Sequence, residues 1–200
     1  MIKRIFFVLG LALMAQVIVA CVNCNCPPTR TIYFTNSGLL LKNMDLSLTQ
    51  SMVTNSATIS SANYGIQVQL QTTLLTMGKQ HANWGLMQSA YACSCNEDEF
   101  IGKESISALK IVSNSDFDIS HPKNTDLSLY FKARKGATMI SIADYIKSLK
   151  EFKYDNKYAF YEGIFLQATP TTSKKHQFKL IITLSDGRIL EAETTEVELI

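Results

Sequence analysis

Four apolar side chains at every second position, Phe178, Leu180, Ile182 and Leu184, stand just before Asp186-Gly187 and a second run from Ile189 to Thr194. Successive side chains of an extended chain point to opposite faces, so this alternation buries one face and wets the other. Asp-Gly between such runs marks a hairpin, because glycine supplies the positive φ that a tight turn requires. A sheet with one dry face needs a second layer to cover it. Val197 and Leu199 either finish the second strand or start a last one.

Strand signals dominate upstream as well. Thr31-Ile32-Tyr33-Phe34 is β-branched and aromatic, and Leu39-Leu40-Leu41 follows Asn36-Ser37-Gly38, which reads as a turn. Ile66, Val68 and Leu70 alternate with Gln67, Gln69 and Gln71, the pattern of a half-buried strand. Ser89 to Cys95, Ile106 to Val112, Leu127 to Phe131 and Phe160 to Ala168 are further strand candidates. One stretch reads as helix. Ser141 caps it, Asp144 lies in its first turn, and Ile142, Ile146 and Leu149 share a face up to Lys150. Gly78 and Gly85 make the stretch from Met77 to Met87 a loop. The fold class expected is all-β, an antiparallel immunoglobulin-like β-sandwich with one short helix near 141–150. Crossover helices for a parallel α/β sheet are missing from the pattern.

The N-terminus reads as an export signal. Lys3 and Arg4 precede an apolar run from Ile5 to Val19, which is short of the roughly 20 residues a spanning helix needs. Ile18-Val19-Ala20-Cys21 then resembles the lipobox of bacterial lipoproteins. That resemblance implies cleavage before Cys21 and lipidation of Cys21, and two or three acyl chains give stable anchoring where one does not. The expected organisation is a signal peptide over 1–20, a lipid-anchor segment over 21–30 and one β-sandwich domain over 31–200. Surface-exported lipoproteins usually carry an acidic cluster just after the lipidated cysteine, and here no acidic residue follows Cys21 until Asp45, so the lipobox resemblance implies the periplasmic face of the outer membrane rather than the cell surface.

Four cysteines remain, in two matched pairs: Cys24 and Cys26, Cys93 and Cys95. An even number in an exported chain reads as a disulfide framework. A bond within either C-x-C pair closes a strained ring, so bridges between the two segments are expected. The spacing leaves both such connectivities open. A four-thiolate metal site is the weaker alternative, since structural zinc prefers wider spacing and an oxidising compartment pairs thiols first.

Cys24-Asn25-Cys26-Pro27-Pro28, Ala92-Cys93-Ser94-Cys95, Gly102-Lys103-Glu104-Ser105-Ile106, Asp116-Phe117 and His121-Pro122 form an ordered series. The series resembles a family of small Bacteroidota lipoproteins classed as a domain of unknown function. The resemblance implies an address in the cell envelope and no chemistry.

The formal charge of +2 comes from Lys3 and Arg4; the other 17 of the 19 basic residues match the 17 acidic ones. A neutral mature chain has no footprint for nucleic acid. His81, His121 and His176 lie far apart without ligand spacing, and Ser120 beside His121 is adjacency in a turn. Asn96-Glu97-Asp98-Glu99 and the set Asp116, Asp118 and Asp126 miss the pattern of a calcium loop and read as solvated carboxylates. No catalytic residue, metal or cofactor is therefore expected. One cluster is rich in aromatics: Phe152, Tyr154, Tyr158, Phe160 and Tyr161, interleaved with Lys150, Lys153 and Lys157. Tyr154, Tyr158 and Tyr161 are the candidate ligand surface, since tyrosine offers an apolar face and a polar tip to a sugar or a peptide. The expected function is a lipid-anchored, non-catalytic binding or accessory module, held to the membrane through Cys21, with an envelope protein or glycan as partner. The alternatives are a small periplasmic hydrolase with a carboxylate pair and a fimbrial-type assembly subunit.

Overall fold

The computed structural model describes residues 28–49, 52–75, 98–151 and 158–200. The chain divides into two units, residues 1–32 with 76–100, and residues 33–75 with 101–200. In the first unit, the described residues include an exposed ion pair of 2.7 Å between Arg30 and Asp98. The Glu99 amide donates to the Arg30 carbonyl beside it.

Twelve strands and one α-helix are present among the described residues: β1 (Thr31–Asp45), β2 (Thr58–Ile59), β3 (Tyr64–Leu74), β4 (Glu99–Gly102), β5 (Ile106–Ser113), β6 (Phe131–Lys135), β7 (Thr138–Ser141), α1 (Ile142–Glu151), β8 (Ile164–Leu166), β9 (Lys175–His176), β10 (Phe178–Leu184), β11 (Ile189–Glu193) and β12 (Val197–Leu199). They form a six-stranded sheet in the order β4-β1-β3-β8-β6-β7 and two three-stranded sheets, β11-β10-β5 and β2-β12-β9. The fold is an all-β sandwich with one short helix, as the alternation implies. One core joins Ile66, Val68 and Leu70 of the large sheet to Ile111, Leu180 and Ile182 of the second and to Ile59, Val197 and Leu199 of the third.

The periodic segments behave as read. Phe178, Leu180, Ile182 and Leu184 are all buried while the residues between them are half-exposed. Asp186-Gly187 turns the chain from β10 into β11, with Gly187 at φ +86° and the Leu184 amide bonded to the Arg188 carbonyl at 2.9 Å. In α1 the Asp144 amide donates to the Ser141 hydroxyl at 3.1 Å, and that hydroxyl donates to the Asp144 carboxylate at 2.6 Å. This is a reciprocal cap on the helix N-terminus.

Three local readings are corrected. Asn36-Ser37-Gly38 is no turn; β1 runs straight through and absorbs the extra residue as a bulge against β3. Leu127 to Phe131 is no strand, because Ser128–Tyr130 winds into a 3-10 turn before β6 begins. The run from Phe160 to Ala168 is strand only over Ile164–Leu166. β2 pairs with β12 in parallel, whereas β1–β3, β3–β8, β6–β8, β6–β7, β5–β10, β10–β11 and β9–β12 are antiparallel. The candidate strand over Ser89 to Cys95 lies outside the described residues.

A buried polar chain crosses the core. The Tyr64 hydroxyl donates to the Asn43 side chain at 2.9 Å, and the Asn43 amide donates to Thr195. Burial pushes the Tyr64 phenol far above its ordinary range, so it stays a neutral donor.

Candidate ligand groove

Two of the three tyrosines singled out in the sequence come together on the surface of the larger unit. Tyr158 and Tyr161 are 59% and 46% exposed, with ring centroids 6.2 Å apart and near-perpendicular planes. They flank a groove of about 390 Å³ whose other walls include Arg134, Lys135 and Gly136 of the β6–β7 hairpin, Tyr145 and Leu149 of α1, and Glu162. Tyr154 lies outside the described residues, as do Cys21, Cys24, Cys26, Cys93 and Cys95.

The turn that carries the tyrosines is held from beneath. Phe160 adopts a left-handed backbone, φ +59°, which costs a bulky residue energy and persists only where the surroundings fix it. Here the ring is fully buried and stacks on Tyr145 at 4.5 Å. The Phe160 amide donates to the Tyr145 hydroxyl at 3.0 Å. Tyr161 donates its amide to the Tyr158 carbonyl and Gly163 donates to the Phe160 carbonyl, closing two consecutive turns. Within one aromatic cluster, Phe160 is therefore the anchor while its two tyrosine neighbours face outward.

The polar walls are also positioned. The Gly136 amide, in a left-handed turn at φ +60°, donates to the Glu162 carboxylate at 2.7 Å. The Arg134 guanidinium lies 4.7 Å over the Phe165 ring, which fixes its plane and leaves it half-buried. The backbone turn beneath the tyrosines and these two charged groups are thus held in place by contacts within the fold.

The other candidate residues serve the fold. Asp118 accepts the amides of Ser120 and His121, the His121 ring at 2.9 Å and the Tyr130 hydroxyl at 3.1 Å. Although desolvation opposes it, this donor set holds the Asp118 carboxyl below its usual range. Asp116 accepts the Lys123 amide and Asp126 caps Ser128, so each acidic side chain is spent on its own turn. Among the described residues no three metal-ligating side chains converge. Asp98 is taken by Arg30.

His176 is buried beneath the same region. Its Nε2 donates to the Ser173 carbonyl at 2.9 Å and its Nδ1 lies 2.8 Å from the Ser113 hydroxyl, an arrangement that suits the neutral ring. Burial lowers its pKa below 6.5. Above about pH 6.5 the ring is neutral in both folded and unfolded chains and the stability is complete. As pH falls the unfolded chain takes up the proton first, so stability should drop by up to ~1.4 kcal/mol per pH unit until the folded ring titrates too. Urea midpoints between pH 7 and 5 measure this. A slope unchanged in His176→Gln would assign it to other groups.

One ion pair, buried on its carboxylate side and exposed on its arginine side, has no signature in the sequence. Glu104, 4% exposed, meets Arg188 at 2.7 Å and the Thr35 hydroxyl at 2.9 Å. Arg188 also bonds the Asn36 carbonyl and Asp186, so it ties the hairpin turn to the β1 bulge.

Fold and groove together define a β-sandwich protein with a preformed aromatic surface site. The chain belongs to the family described as Domain of unknown function (DUF5034), whose model matches residues 36–195. No curated protein and no solved structure matches it.

Proposed function

We propose that this chain is a lipid-anchored, non-catalytic binding module of a bacterial cell envelope, and that it holds a neutral glycan in the tyrosine groove. The observation that carries the reading is the pair of exposed tyrosines, Tyr158 and Tyr161, set on a turn locked by buried Phe160. Flat sugar faces stack on tyrosine rings. Arg134, Lys135 and Glu162 supply donors and acceptors for hydroxyl groups at the same groove. A folded peptide partner would need a larger apolar patch than two rings provide.

Isothermal titration of the full chain in neutral-detergent micelles with a panel of neutral oligosaccharides tests the groove. Tyr158→Ala and Tyr161→Ala should each weaken binding by roughly 3- to 10-fold, the worth of one lost aromatic contact. Equal affinity in the double variant, with an unchanged fold by circular dichroism, would refute the site.

The anchor rests on Ile18-Val19-Ala20-Cys21. Cys21→Ser should leave an unacylated precursor of higher peptide mass, retaining residues 1–20. Mature mass and normal membrane extraction in that variant would exclude lipidation there. The periplasmic face of the outer membrane is the proposed position, from the lack of an acidic cluster after Cys21.

A further inference from the structure

The opposite side of α1 carries a second groove, of about 520 Å³, between the helix, β5 and the 3-10 turn before β6. Its volume lies within the roughly 300–1,000 Å³ of small-molecule sites. Leu109, Phe131, Ile142 and Ile146 make an apolar floor, and Leu129 stands at the rim 97% exposed. The charged residues that line it are both cations, Lys132 and Lys147. Both are exposed and have long apolar stems, which lie along an apolar wall while the ammonium stays in water. Asp126 and Asp144 are bonded to the lining hydroxyls of Ser128 and Ser141, and neither carboxylate lines the groove.

An apolar trough whose charged lining residues are two lysines matches an occupant with an apolar body and an anionic end. We infer that this groove binds a single-chain anionic lipid, a fatty acid, with its acyl chain over Leu109, Phe131 and Ile146 and its carboxylate between Lys132 and Lys147. The inference stands apart from the glycan reading, because the two grooves share no lining residue.

The test uses the full chain in phosphatidylcholine vesicles with a photoactivatable diazirine palmitate. Adducts should map to peptides containing Leu129–Lys132 and Ile142–Lys147, and unlabelled palmitate should compete while hexadecanol competes about 2- to 30-fold less, as expected for loss of two exposed charge contacts. Lys132→Glu with Lys147→Glu should reduce palmitate labelling by a similar factor. Ala143→Trp, which fills the groove from an exposed helix position, should abolish labelling there with circular dichroism unchanged. Adducts spread evenly over the surface, or equal competition by acid and alcohol, would overturn the inference. So would protection of these peptides that rises with protein concentration alone, since that assigns the groove to a second copy of the chain.

Discussion

Gly163→Val should destabilise the protein by more than ~3 kcal/mol, enough to unfold a domain of ordinary marginal stability when combined with modest heating. Two costs add at this position. Its φ of +105° lies where a β-branched residue is strongly disfavoured. A Cβ there would also sit 2.8 Å from Met44 Sδ and 2.8 Å from the Phe165 ring, inside the contact distance of both. Gly187→Val supplies the control: φ is +86° but nothing lies within 4 Å of the added carbon, so only the backbone cost of ~1–2 kcal/mol applies. Urea denaturation of both variants reads the difference. Equal losses would mean that Met44 and Phe165 yield freely and that packing around Gly163 is loose.

Phe178→Ala is expected to cost ~3–5 kcal/mol, by removing an aromatic ring from the centre of the core. The ring is fully buried and meets Tyr64 at 5.3 Å, Phe131 at 5.6 Å and His176 at 5.5 Å. These neighbours belong to β3, β6 and β9, so the cavity would open where all three sheets converge. Phe178→Leu should cost less than ~1.5 kcal/mol, because most of the volume is kept. If the alanine variant lost no more than the leucine one, the three sheets would have to collapse onto the space, contrary to a close-packed core.

What the sequence disclosed follows from how local each signal is. The alternation of β3 and β10 and the Ser141–Asp144 cap are written within a few residues, and these elements stand where they were expected. Asn36-Ser37-Gly38 has the composition of a turn but forms a bulge, because β1 is committed to extension by its pairing with β3, and that partner is remote in sequence. The run from Phe160 has the composition of a strand but begins as a turn. Phe160 and Tyr161 both favour extended backbone, and the stacking of Phe160 on Tyr145, its amide bond to the Tyr145 hydroxyl and the two turn-closing backbone bonds override that preference. The strands β2 and β9, two residues each, are too short for any periodicity to reveal them, whereas Val197 and Leu199 start the last strand, β12, one of the two readings they allow. For the groove, aromatic enrichment pointed to Tyr158 and Tyr161. Arg134, Gly136 and Glu162 gave no such sign, since their shared position exists only once the β6–β7 hairpin meets the turn. The same holds for Glu104 and Arg188.

Phe160 has a bearing on how such a groove can diversify. The residue that fixes the turn points inward, and the residues that would touch a ligand point outward from its two sides. Exchanging Tyr158 or Tyr161 therefore leaves the anchor and its stacking partner untouched. Under the proposed binding role, ligand preference and folding stability fall to different side chains of one short segment, so the first can drift over generations without eroding the second. A scaffold partitioned in this way can change its exposed face by one or two surface substitutions, with its core inherited intact.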